Sequence, residues 1–124
     1  MKIYHKHDAV HFLKSEGVDV TYYLFNEYEV HYNEQPAHTT QIMHHHEKIW
    51  ESLYIIEGEL IAKWKEKGIE KSEKVTMGDL IETERTPHTF ANETDKTVKF
   101  LVIKQLLKNE DFRQILKSDK IIDQ

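Results

Sequence analysis

The chain has no cysteine, so disulfides and thiolate chemistry are closed to it and any metal must be held by nitrogen and oxygen. No apolar run is long enough to cross a bilayer. The N-terminal MKIYHKHDAV also lacks the apolar stretch and small-residue cleavage site of a signal peptide. A cytoplasmic protein without a membrane partner is expected. Blocks of positive charge are missing too. The net charge is -5, and Lys and Arg are interleaved with Asp and Glu, as in KWKEKGIEKSEK. That pattern describes a solvated hairpin, not a phosphate-tracking surface, so no nucleic-acid partner is expected. There is no linker, repeat or low-complexity stretch, and 124 residues fit one domain spanning 1–124.

What the chain does have is histidine, nine in all, with three adjoining at His44, His45 and His46. From Val18 onward it also has short β-branched and aromatic runs: VDVTYYLF, EYEVHY, TTQIMHHH, ESLYII, ELIAKW, KVTM, DLIET, HTFA and TVKFLVIKQLL. Eight or more strands without alternating helices exclude a doubly wound parallel sheet and leave a sandwich, barrel or jelly roll. Gly58 suits a tight hairpin, Gly68 the tip of the charged hairpin, and Gly78-Asp79 another turn. Two helices are expected at the flanks. His7 to Glu16 carries apolar Ala9, Val10 and Leu13 between a possible N-cap at Asp8 and Gly17. The tail NEDFRQILKSDKII, helical roughly over 109–118, sets Phe112, Ile115 and Leu116 on one face, where they cap the barrel or meet a partner subunit.

Successive side chains of a strand point to opposite faces, so a strand through TTQIMHHH puts His44 and His46 on one face and His45 on the other. Glu51 follows His46 at an odd separation. EKIW must therefore act as a bend that resets the alternation, after which Glu51, Leu53 and Ile55 share a face. Two imidazoles and a carboxylate would then converge in the facial arrangement that leaves coordination positions open.

At this point the sequence resembles the cupin superfamily, of the small single-domain RmlC-like kind. Its first motif is His, any residue, His, three or four residues, Glu, six residues, Gly. Here it reads His44, His45, His46, EKIW, Glu51, SLYIIE, Gly58. The second motif is matched by Gly78-Asp79, then Pro87-His88 and Asn92. His38 stands where a Gly is usual, Glu84 and Thr86 stand where Pro and Gly are usual, and the loop to His88 is one residue shorter. The resemblance covers roughly Pro36 to Ile103. It implies an all-β double-stranded β-helix, a jelly-roll barrel over about 18–107 with short flanking helices and an interior metal. It also implies the ligands His44, His46, Glu51 and His88. Such a set suits Fe, Mn, Ni, Co, Cu or Zn, and affinity order alone does not choose among them.

Plainer readings stand beside these. A bare HxH is more often a polar pair on an exposed sheet, and it is the register with Glu51, Gly58, His88 and Asn92 that favours ligands. Phe90 shares parity with His88, and Ile42 with His44, which makes both candidates for pocket lining as well as for plain core. His38 continues the same alternation and could line the pocket mouth, or simply end a strand. Asn92 is read as holding the loop after His88, and His5, His7 and His11 are given no role. Glu82, Glu84 and His38 are the nearest candidates for a separate base. Two functions fit. One is a metalloenzyme of the dioxygenase, isomerase or decarboxylase type acting on a polar, metal-chelating small molecule. The other is a noncatalytic small-molecule or sugar-binding module with a structural metal. Exposed aromatic residues suit a homodimer.

Overall fold

Period-two burial, the signature of strands with one face in a core, marks Tyr28–Gln35, His44–His46, Ile49–Glu57, Glu59–Glu66 and Val98–Leu106. The computed structural model describes residues 1–106 and 120–123. Its strands are β1 (Val10–Leu13), β2 (Asp19–Leu24), β3 (Tyr28–Gln35), β4 (Thr39–Thr40), β5 (His44–His46), β6 (Ile49–Glu57), β7 (Glu59–Glu66), β8 (Ile69–Thr76), β9 (Leu80–Glu82), β10 (His88–Asn92), β11 (Val98–Leu106) and β12 (Lys120–Ile122). They form two antiparallel sheets, in the orders β1-β2-β3-β11-β6-β9 and β12-β5-β10-β7-β8, and β4 adds to β10. The chain crosses between sheets at β3 to β4, β5 to β6, β6 to β7, β8 to β9, β9 to β10 and β10 to β11, as in a jelly roll.

The core lies between the sheets. Leu53, Ile55, Leu60, Ala62, Val75, Phe90, Val98, Phe100 and Val102 form one buried cluster, with Trp64 and Ile81 packed against it. A second layer of the interior is polar. On β3 the inward residues are Glu29, His31, Asn33 and Gln35, all buried, while Val30 and Tyr32 take the outer face.

Several expectations need correction. The helix over His7 to Glu16 does not form. Lys6–Asp8 is a single 3-10 turn, and Val10–Leu13 is an edge strand with all four residues exposed. A helix there would have had to bury Val10 and Leu13; pairing with β2 instead satisfies the backbone directly, in a register running from Val10↔Tyr22 to Leu13↔Asp19. Gly17 closes that hairpin and does not end a helix: its N–H donates to the Lys14 carbonyl at 2.9 Å, at φ +96. In the tail, residues 109–118 lie outside the described residues. Beyond it, Lys120–Ile122 is a strand paired with the histidine run: Lys120↔His46, Ile121↔His45 and Ile122↔His44.

Gly58 is not a hairpin turn either. The strands it joins, β6 and β7, belong to different sheets, and its φ of +90 carries the chain around the corner between them. A Cβ there would meet Val98 Cγ2 at 3.0 Å. The charged hairpin forms as expected, with Lys67 and Gly68 both left-handed between the paired Glu66 and Ile69.

Candidate metal centre

β5 is short because the expected strand through TTQIMHHH breaks between Thr40 and His44. The break leaves His44 and His46 pointing inward together, and it also frees the Ile42 carbonyl to accept a hydrogen bond from His44 Nδ1 at 2.7 Å. Glu47 and Lys48 form a bend, after which Ile49, Glu51, Leu53 and Ile55 are the buried residues of β6. The alternation is therefore reset as the odd His46-to-Glu51 spacing requires. His88 opens β10 and is the cross-strand partner of His44.

One nitrogen or oxygen from each of His44, His46 and Glu51 lies within 4.8 Å of the others, and all three residues are buried. Glu51 draws in His88: its Oε1 is 3.1 Å from His88 Nε2, and its Oε2 is 3.2 Å from His46 Nε2. The His44 and His88 rings are 4.6 Å apart, centroid to centroid. The structure thus brings together all four residues.

The hydrogen bonds around them fix which nitrogen faces inward. His88 Nδ1 lies 2.7 Å from the Thr86 carbonyl, as His44 Nδ1 does from Ile42. A carbonyl only accepts, so Nδ1 carries the hydrogen, and in a neutral imidazole Nε2 then presents a lone pair. His88 Nε2 and Glu51 Oε1, 3.1 Å apart, thereby face each other in a buried site. A proton or a cation must lie between them. A divalent metal fits this donor set, and the carbonyl-oriented imidazoles are the outer support that metal-binding histidines usually have.

Electrostatics agree. Burial pushes the His44 imidazole down to about 3, with the Ile42 carbonyl acting weakly the other way, so it is neutral and available as a ligand. Burial would raise the Glu51 carboxyl, but contacts from His46 and His88 and the charge of Lys104 outweigh it and hold the group well below the usual carboxylate range. Lys104 Nζ sits 3.6 Å from Glu51 Oε2 with a side chain only 13 % exposed. Lys104 faces Glu51 on one side and Glu29 on the other across sheet pairs. Glu29 hydrogen-bonds His31, whose imidazole is pushed well below its ordinary value by burial and then by Lys104 and Lys14.

The remaining candidates lie elsewhere or act differently. Phe90 is buried beside His88, ring centroids 5.6 Å apart. Ile42 falls in the strand break and is 41 % exposed. His38 has a side chain 64 % exposed and bonded to Asp95 at 2.7 Å. His45 points away from the cluster to Asp123, Nδ1 to Oδ2 2.6 Å. Asn92 holds the chain after His88, its Nδ2 donating to the carbonyls of Gln35, Pro36 and Lys96. Glu82 is engaged on Trp50 Nε1 and Ser52 Oγ. Sequence reasoning missed Lys104 and the Glu29–His31 pair. The polar alternation of YEVHYNEQ was a readable signal for the pair, whereas the place of Lys104 depends on strand register.

A cavity of about 440 Å3 opens beside the cluster, walled by β7, β8 and the segment from Asp79 to Thr86, with His88 and Phe90 in its lining. Among the described residues no helix is long and apolar enough to cross a membrane.

Comparison with known proteins gives a family. A family profile described as "Cupin domain" matches residues 30–104. No curated protein sequence matches significantly. Among solved structures, the chain is similar to the polyketide cyclase RemF from Streptomyces resistomycificus, with 20 % identity, TM-score 0.74, and coverage of 98 % of this chain and 84 % of that one. It is also similar to a predicted oxalate decarboxylase from Thermotoga maritima, with 19 % identity, TM-score 0.73, and coverage of 86 % and 100 %. A sugar phosphate isomerase from Silicibacter pomeroyi matches at 18 % identity and TM-score 0.63, covering 71 % of this chain but only 59 % of its own. The chain thus spans less than two thirds of that relative, and at these identities the likeness is one of fold.

Proposed function

This chain belongs to the cupin domain family, and from that premise we propose that it is a metal-dependent enzyme acting on a polar small molecule that chelates the metal. The observation that carries the reading is the buried convergence of His44, His46 and Glu51, with His88 Nε2 3.1 Å from Glu51 Oε1.

His44, His46, Glu51 and His88 would hold the ion. Three imidazoles and a carboxylate suit Fe, Mn, Ni, Co, Cu or Zn. When bound, such an ion supplies Lewis-acid polarisation of a coordinated oxygen. The chain's own residues do the rest. The carbonyls of Ile42 and Thr86 hold the imidazoles in one tautomer, Lys104 fixes and balances Glu51, and burial by Phe90 and the core keeps bulk water out. The cavity beside His88 gives a substrate of ordinary metabolite size a way in, which favours an enzyme over a module with a closed structural ion. Isomerase, decarboxylase and dioxygenase chemistry all fit a chelating substrate, and the likeness to a sugar phosphate isomerase and to a predicted oxalate decarboxylase supports the first two.

The same reading places the protein in the cytoplasm as a homodimer. Support for the dimer comes from the outer face of the first sheet, where Tyr54 and Ile56 are exposed apolar residues.

The open-site reading is tested by water-proton relaxation of the protein loaded with Mn(II). An exchangeable water on the ion gives enhanced relaxation that falls when a chelating ligand is added. Relaxation no greater than that of an outer-sphere ion would mean a closed site and support the noncatalytic alternative.

A further inference from the structure

The proposed metal site leaves the substrate's organic part unspecified, and the cavity that adjoins it has a definite chemistry. Across the sheet His88 pairs with Trp64 and Phe90 with Ala62. Directly paired residues project to the same face, so the Trp64 indole stands beside the His88 imidazole on the barrel side. Phe90, Ala62, Val75, Leu80 and Ile81 complete an apolar lining. Trp64 is held in place: it packs on the core, and its Nε1 donates to Glu66 Oε1 at 2.9 Å.

The polar part of the same lining is one-sided. It contains five carboxylates, Glu66, Glu73, Asp79, Glu82 and Glu84, and a single cation, Lys63. Lys63 is itself 3.6 Å from Glu93. Glu66 is balanced by Lys71 at 2.7 Å, Asp79 caps the Thr76 N–H, and Glu82 is bonded to Trp50 and Ser52. Glu73 and Glu84 are exposed and make no ion pair among the described residues. Two cations nearer the cluster, Lys104 against Glu51 and Lys120 opposite His46, are not in the cavity lining.

A ligand reaching His88 through this cavity must therefore pass a negative rim and lie against an aromatic wall. The rim charges fall within about a Debye length of such a ligand, roughly 10 Å at 0.1 M salt, so their repulsion of an anion is not screened away. The cavity ends on the buried His88 imidazole of the proposed metal site, which separates it from a merely acidic surface patch.

We propose that this cavity receives the organic body of the chelating substrate against Trp64 and Phe90, and that it selects a flat, partly apolar body of neutral or positive charge over an anionic one. The inference rests on the metal-site reading above. It deepens that reading by setting dicarboxylates and phosphate esters apart from the preferred substrate class.

Three small catechols share the same chelating oxygens and differ in the charge of the side chain: 4-methylcatechol is neutral, dopamine positive and 3,4-dihydroxyphenylacetate negative. Their binding to the zinc-loaded protein is followed without oxygen by calorimetry and by tryptophan fluorescence. The expected result is that dopamine binds at least as tightly as 4-methylcatechol and the acid about tenfold more weakly than either. The double variant Glu73→Lys, Glu84→Lys should bring the acid to within about threefold of 4-methylcatechol while leaving zinc content unchanged. Trp64→Ala should weaken all three probes with zinc still bound, and Trp64→Phe should largely restore them. Equal binding of the three probes, or indifference to Trp64→Ala, would overturn the proposal and leave the metal-site reading intact. Failure of the wild-type protein to take up zinc would instead strike the metal-site reading itself.

Discussion

His88 Nε2 and Glu51 Oε1 stand 3.1 Å apart with the Thr86 carbonyl holding the opposite nitrogen of the same ring, so both atoms are aimed at one point inside the barrel. A ring nitrogen and a carboxylate oxygen so aimed in a buried site are stabilised only by something positive between them. Without metal that is a proton on the imidazole. With metal it is the ion, and the functional account follows from that substitution.

Lys104 supplies a further positive charge near Glu51, and its side chain is 13 % exposed against 5 % for Glu51. Removing one partner of a buried pair costs about 3 kcal/mol because the other is left uncompensated. Lys104→Met is expected to destabilise the metal-free protein by about that much and the metal-loaded protein by clearly less, since the ion compensates the carboxylate. Urea denaturation with and without metal measures both; equal losses would show that Lys104 does not act on Glu51.

The β12 strand is tied to β5 partly by His45 and Asp123. The hydrogen bond to Asp123 raises the His45 imidazole above its ordinary value, against a smaller opposing effect of burial. A base with a raised folded pKa contributes its full stabilisation below the unfolded value, about 6.5, and loses it as pH rises through the higher folded value. The Asp123 amide, bound to the Met43 carbonyl at 2.9 Å, should therefore lose protection from hydrogen exchange as pH climbs above neutrality. His45→Ala should abolish that pH dependence, and a protection factor that stays constant with pH in the wild type would contradict the assignment.

Two glycines with positive φ should respond differently to alanine. At Gly58 a Cβ meets Val98 Cγ2 at 3.0 Å and the Val98 Cα at 3.4 Å, whereas at Gly68 nothing lies within 4 Å. Gly68→Ala should cost about 1 kcal/mol, from backbone conformation alone. Gly58→Ala should cost about 2–4 kcal/mol, because strain and overpacking add. Thermal denaturation of both variants checks the order.

The loop that delivers His88 contains Glu84 at φ +50 and Arg85 at φ +63, two consecutive left-handed residues without glycine. Arg85→Gly relieves a penalty of about 1–2 kcal/mol and gives back part of it as unfolded-chain entropy, for a net gain of roughly 0.5 kcal/mol. A modest rise in melting temperature with unchanged metal content is expected. A fall would mean that the arginine side chain stabilises the loop more than its backbone strains it.

Much of this was legible in the sequence because β structure with one buried face leaves a period-two trace. His44 and His46 share the interior, and the bend at Glu47 and Lys48 that brings Glu51 to the same side follows from parity alone. What parity cannot supply is the partner of each strand. Gly58 read as a hairpin because two apolar runs flank it, yet those runs pair with β11 and β10 in different sheets. Lys104 was invisible for the same reason, since only the β6–β11 register sets it opposite Glu51. At the N-terminus, spacing alone suggests a helix over His7 to Glu16, but an edge strand can leave Val10 to Leu13 exposed on both faces. Ile42 shares parity with His44 only along an unbroken strand, and the chain breaks there to offer its carbonyl instead.

The central claim is that the outer histidines of the run hold a metal and the middle one does not. It is tested most directly by elemental analysis of tag-free protein before and after dialysis, for wild type, His45→Ala and His46→Ala. The account predicts near-stoichiometric transition metal in the wild type and in His45→Ala, and its loss in His46→Ala. Metal retained by His46→Ala, or no metal in any of the three even after reconstitution, would contradict it.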